Sequence, residues 1–259
     1  MLIMKQLVLR LIFNFFQRHA MYLTDKSEEA NVEYHLVING PKISSIINNR
    51  WTSVRQRENK GYDFGAWCSW LDRIDRNNYD FFIFINNSLR GPFDDKIWPI
   101  TFTNLLNDYT KLSGVTIACG GLDEHSNPHN IKPPVLQSMM CCMDRIGLEL
   151  ADKCIFSQVR TKDMTFMETV LKCEEGLSYA MLTAGYSISC ILKPYQVDYR
   201  DKTKWIINPN IHLGNCWMPQ SYFGKDLEPR ECIFFKSNRN VNPDALEKET
   251  NKQNQLKYY

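Results

Sequence analysis

Residues 79–85 constrain the fold more than any other stretch. Tyr79, Phe81, Phe82, Ile83, Phe84 and Ile85 form an almost unbroken run of aromatic and β-branched side chains, the pattern of a strand buried on both faces. The run stops abruptly at Asn86-Asn87-Ser88, and Gly91-Pro92 follows. An open α/β sheet places its ligand just beyond the carboxyl ends of its strands, where a buried strand opens into a polar tip. The plainer account is a core strand followed by an ordinary turn of Asn, Ser, Gly and Pro.

The rest of the chain supplies neighbours for that strand. Residues 32–39 read as a strand ending in the turn Asn39-Gly40-Pro41, and 51–57 as another short strand. Apolar residues at 64, 67, 70, 71 and 74 have helical spacing, with Asp63 as the expected N-cap. Residues 98–109 predict a helix, and 114–119 a strand. Residues 136–150, with Met139, Met140, Met143 and Ile146 among their apolar members, predict a further helix. One or two helices are expected over 163–183, split near Glu174-Glu175-Gly176. Strands are expected at 188–192 and 227–235. Alternation of strands and helices makes the class α/β, a single domain with a mostly parallel central sheet flanked by helices. The domain is expected over 32–240, with an amphipathic segment at 1–31 and a polar tail at 241–259.

Bulk properties exclude some functions. The chain has 259 residues, 44% of them hydrophobic, enough for a substantial core. With 31 basic and 29 acidic residues the net charge is +2, and there is no basic block, so no nucleic-acid partner is expected. The nine cysteines show no CxxC pair or finger spacing. They read as free thiols in a reducing compartment, hence a cytoplasmic location, with the cytoplasmic face of a membrane or a Golgi-type compartment as the alternative. Within 1–23, Lys5, Arg10, Asn14, Gln17 and Arg18 break the apolar residues, so no run reaches the ~20 residues a span requires. An amphipathic helix packed on the domain is the expectation, and peripheral membrane contact the alternative.

Four segments in order carry a family pattern: R-E-N-K-G-Y-D-F-G-A-W (57–67), N-N-S-L-R-G-P-F (86–93), L-Q-S-M-M-C-C-M-D-R-I-G-L (136–148) and E-E-G-L-S-Y-A-M-L-T-A-G-Y-S-I (174–188). Together with P-R-E-C-I-F-F-K-S-N-R (229–239), they resemble the rhamnan-synthesis-F-like glycosyltransferases. More distantly they are similar to the inverting family-2 transferases of GT-A fold. The resemblance covers about residues 32–240. It implies a GT-A-like, Rossmann-like domain that moves a sugar from a nucleotide-sugar donor to a glycan or polysaccharide acceptor, with inversion. The alternative is a catalytically inactive domain of this fold that binds a glycan or a protein partner. Two departures stand out. The tip that carries paired aspartates in a GT-A enzyme is Asn86-Asn87-Ser88, which weakens any Mn²⁺ or Mg²⁺ site, since such ions prefer anionic oxygen. Residues 1–31 also show no clean version of the first strand.

The resemblance assigns roles to named residues. Glu174, with Glu175 as its neighbour, falls where the family-2 base stands, whereas a pair of glutamates at a helix start is the plain alternative. Arg57, Asn59, Lys60 and Asp63 correspond to nucleotide-side contacts, with Asp63 able to serve as helix cap as well. Asn86, Asn87, Ser88 and Arg90 would line the diphosphate, Arg90 partly replacing a metal unless it is only a turn arginine. His125, His129 and His212 fall in expected loops, and only His212 matches a late metal ligand in some GT-A enzymes. Trp205 and Trp217 suit either sugar stacking or packing.

Overall fold

The computed structural model describes residues 7–13 (as backbone), 32–40, 53–93, 97–119, 131–208 and 215–255. Its centre is a seven-stranded sheet. The strands are β1 (Leu7–Phe13), β2 (Val32–Asn39), β3 (Ser53–Arg57), β4 (Phe81–Ile85), β6 (Thr110–Gly114), β9 (Met140–Asp144) and β10 (Ser187–Cys190), in the order β10-β6-β9-β4-β1-β2-β3. Two small ribbons flank it, one pairing β5 (Leu89–Arg90) with β11 (Phe235–Lys236) and the other β7 (Ile117–Ala118) with β8 (Val135–Leu136).

The sheet is mixed. β1 pairs in parallel with β2 and β4, β2 with β3, and β10 with β6. β9 runs antiparallel to both β4 and β6. The expected helix over 136–150 is therefore wrong for its first half, and the chain is helical only from Arg145. Met139 to Met143 is a continuous apolar run, whose period does not separate a buried strand from a buried helix. Asp144 marks the change, because its side chain accepts from Gly147 N–H at 2.9 Å and caps the helix Arg145–Ala151.

A second correction concerns the N-terminus. The helix expected within 1–23 is replaced over Leu7–Phe13 by β1, which lies between β2 and β4 in the middle of the sheet. Leu-Val-Leu-Arg-Leu-Ile-Phe is short and nearly all apolar, so the same ambiguity of period applies. Other bounds also move. The helix at 98 ends at Thr103, and 227–235 contains a short helix, Pro229–Cys232, before the two residues of β11. The polar tail forms the helix Pro243–Gln255, whose Leu246 is buried.

Aromatic packing holds the layers to β4. Phe82 and Phe84 are fully buried. Trp67, from the helix Tyr62–Leu71, stacks on Phe84 with centroids 5.0 Å apart, and Phe156 meets Phe84 edge-on at 6.2 Å. A buried aromatic of this kind contributes about 3–5 kcal/mol by truncation. Trp98 and Phe234 form a second aromatic contact, with centroids 4.9 Å apart. All nine cysteines are free, and eight of them are buried.

Candidate functional site

The parallel strands β2, β3 and β4 end at one edge of the sheet, at Asn39, Arg57 and Ile85. β9, running the other way, begins there: Ile85 is paired with Met140. The turn before β9 and the tip after β4 are thus neighbours by register.

Asn86 ties this edge together. Its backbone N–H donates to the Met139 carbonyl at 2.9 Å. Its Oδ1 accepts from Ser88 N–H at 3.0 Å and from the Ser88 hydroxyl at 2.6 Å. Its Nδ2 donates to Asp63 Oδ2 at 3.0 Å. Both Oδ1 lone pairs are engaged, so Asn86 shapes the tip through its own bonds. Asn87 and Ser88 are half-buried beside it. The Ser88 carbonyl accepts from Ser237 N–H at 2.7 Å and from the Ser237 hydroxyl at 3.0 Å, which fastens the end of β11 to the tip.

Glu174 reaches the same edge through Ser138. Its Oε2 accepts from Ser138 N–H at 3.1 Å and from the Ser138 hydroxyl. Ser138 immediately precedes Met139, the partner of Asn86. One turn therefore holds both the tip after β4 and the glutamate. The expected helix break near Glu174 is replaced by a π-helical turn, Val170–Glu175, that runs straight into the helix Gly176–Thr183. Such turns recur at functional sites because they re-aim one side chain. Glu174 is half-buried, and Glu175 is exposed.

Asp63 is not the helix cap. The helix Tyr62–Leu71 starts from Gly61, whose φ of 68° lies in the left-handed region, and Asp63 sits in the first turn. The carboxylate accepts from Asn86. Arg57 is a clamp: its guanidinium donates to Asn39 Oδ1 at 2.9 Å and to the Lys60 carbonyl at 2.8 Å. Burial pushes its pKa down, and the Arg55 cation adds to this. Asn59 and Lys60 are exposed on the loop that Arg57 holds.

Lys236 is the residue that sequence reasoning missed. It pairs with Leu89 across the β5–β11 ribbon and precedes Ser237, which grips the tip. Burial lowers its pKa. The Glu174 carboxylate opposes that shift, Arg239 adds to it, and the Asp63 carboxylate again opposes it. The buried Cys141 thiol, pushed up first by burial, is pushed further by the same two carboxylates, Glu174 before Asp63. Lys236 and Cys141 thus lie within the field of both acids. A lysine closing the apolar run Ile233-Phe234-Phe235 was the available signal. Arg90 pairs with the fully buried Phe235, so strand alternation puts it on the other face of the ribbon from Lys236.

The tip does not suit a tightly held divalent cation. Such an ion needs several anionic or free carbonyl oxygens. Asn86 Oδ1 already accepts two bonds, and one oxygen each of Asp63 and Glu174 is taken. Among the described residues no three His, Cys, Asp or Glu cluster as a metal site. His125, His129 and His212 lie outside the described residues. Trp217 is packed inside, its indole N–H donating to Thr116 Oγ1 at 2.8 Å and its ring meeting Phe235 edge-on. Trp205 is partly buried and donates to the Tyr199 carbonyl at 2.8 Å.

No protein-family model and no curated protein sequence matches the chain. Among solved structures it is similar to the catalytic domain of Drosophila beta1,4galactosyltransferase 7 in complex with xylobiose. That match has 10% identity and a TM-score of 0.38, over 71% of this chain and 64% of that one. It is also similar to a glycosyltransferase involved in the glycosylation of the major capsid of PBCV-1, at 12% identity and TM-score 0.36, over 64% of this chain and 75% of that one. The chain thus spans less than two thirds of the first of these structures.

Proposed function

We propose that this edge of the sheet is a glycosyl-transfer site, taking a nucleotide-sugar donor and a glycan acceptor. The observation that supports it most is the Ser138–Met139 turn, which binds the Glu174 carboxylate on one residue and the tip after β4 on the next. A transfer site needs a carboxylate base and a charge-bearing floor for the leaving group within one substrate's reach. In this reading the Glu174 oxygen not held by Ser138 takes the proton of the acceptor hydroxyl. The acceptor oxygen bonds to the donor sugar's anomeric carbon as that carbon's bond to the diphosphate breaks. The electron pair leaves on the phosphate oxygen. Asp63, which accepts from Asn86, is the donor-side acid in this reading. Inversion at the anomeric carbon and the identities of donor and acceptor belong to the proposal.

A second reading, a non-catalytic glycan-binding domain of the same architecture, draws on the tip itself, which lacks carboxylates and whose first asparagine bonds inward. Thermal melting against UDP-, GDP- and dTDP-sugars, with Mn²⁺ and with chelator, separates the readings from no binding at all. A ligand that binds only the native state raises the midpoint. The transfer reading expects one nucleotide series to do so, and fails if free glycans shift the midpoint while no nucleotide sugar does.

A further inference from the structure

We propose that Lys236 is a catalytic residue of this site, meeting the donor's diphosphate with its ammonium group where a bound metal ion would otherwise stand. The proposal rests on the glycosyl-transfer reading above. Its geometric basis is a continuous chain of contacts. Glu174 is held by Ser138, Met139 by Asn86, Asn86 by Asp63 and by Ser88, and Ser88 by Ser237, the residue after Lys236. β11 therefore delivers Lys236 to the tip by register, opposite Leu89 and one position from Ser88.

The charge balance points the same way. Asp63 and Glu174 bring two carboxylates to an edge whose tip carries none. A diphosphate arriving there would add further negative charge. Lys236 is a cation that feels both acids. No ion pair within 4 Å is formed by Lys236 among the described residues, so its amine is not locked to either carboxylate. The ammonium of a half-buried lysine is a compact point charge suited to phosphate. The donor set meanwhile fits a divalent cation poorly. When the bond between sugar and diphosphate breaks, the electron pair on the departing oxygen is stabilised by Lys236, and the acceptor proton goes to Glu174.

The test is calorimetric titration of the full chain with UDP, GDP and dTDP in chelator, then with Mn²⁺, together with the matching phosphate-free nucleosides. Wild type is expected to bind one diphosphate in chelator. Lys236→Met and Lys236→Gln should weaken that binding about tenfold or more, as loss of a charge-assisted bond implies. The nucleoside affinity should be unchanged, and Lys236→Arg should restore most of the loss. Urea midpoints confirm that each variant is folded; two neutral replacements guard against one failing. Binding that vanishes in chelator and returns with Mn²⁺ overturns the proposal but leaves the transfer reading intact. So does a folded neutral variant that binds the diphosphate as wild type does. If wild type binds no diphosphate or nucleotide sugar in either condition, both fall together.

Discussion

Replacing Asn86 with aspartate probes the hub of the site. Asn86 Nδ2 donates to Asp63 Oδ2 at 3.0 Å. In Asn86→Asp a carboxylate oxygen stands at that distance instead. Two unit charges 3.0 Å apart repel by about 5–6 kcal/mol at an effective dielectric constant of about 20. The protein escapes part of this by binding a proton. Neutralising an aspartate of ordinary pKa, about 3.9, at about pH 7 costs about 4 kcal/mol, which sets the ceiling. Ser88 still donates twice to the retained oxygen, and partial solvent access screens the pair, so the expected loss is about 2–4 kcal/mol near neutrality. The folded variant holds a proton that the unfolded chain has released. Its stability relative to wild type therefore falls as pH rises, by up to about 1.4 kcal/mol per unit, and the deficit closes near about pH 4. Asn86→Ala loses the bonds without adding charge and should cost about 1–3 kcal/mol with no such slope. Urea unfolding of the three proteins across this pH range measures both. Adding Mn²⁺ should restore stability to Asn86→Asp alone, because two adjacent carboxylates form a cation site. A variant as stable as wild type at neutral pH, or a deficit unchanged between about pH 4.5 and about pH 7.5, refutes the Asn86–Asp63 contact.

Three further outcomes follow from the same contacts. Arg57→Lys should lose about 1–3 kcal/mol of stability, nearly as much as Arg57→Ala, since one ammonium cannot reach both Asn39 and the Lys60 carbonyl as the planar fork does; urea midpoints decide it. Alkylation followed by mass spectrometry should label Cys154 first, because it is the only cysteine not buried, while burial pushes Cys119 up to about 12 and Cys173 up to about 11. Glu168, held by Lys172 and the Thr165 cap, has its pKa lowered to about 2. Its support for the turn leading to Glu174 is thus complete above the ordinary carboxylate range and lost as pH falls through about 2, so hydrogen exchange of residues 166–170 should accelerate over that interval in wild type and less in Glu168→Gln.

The sequence showed some of this directly and hid the rest for physical reasons. The strand 81–85 and its polar end were plain, because an unbroken aromatic run has no other good home in a small α/β protein. The strand 32–39 was equally clear from its turn. Two central strands were not. Leu7–Phe13 and Met140–Asp144 are runs without a two-residue alternation, and at such lengths period alone does not separate strand from helix. The second error mattered for the site, since the turn before β9 carries both Ser138 and the Met139 carbonyl. Glu174 and Asp63 were legible as acids in patterned segments. Their common edge came only from the family resemblance, because the contacts that build it join segments 111 positions apart in the chain. Lys236 was hidden for another reason: it reads as the polar end of an edge strand, and only the pairing with Leu89 shows which residues it faces.

The most direct test of the central claim is release of nucleoside diphosphate from nucleotide sugars by wild type and by Glu174→Gln, assayed with a panel of glycan acceptors. The account predicts turnover of one donor series by wild type and a fall of about a hundredfold or more in the variant, with donor affinity retained. Equal turnover by the two proteins, or none by wild type with any donor, would contradict it.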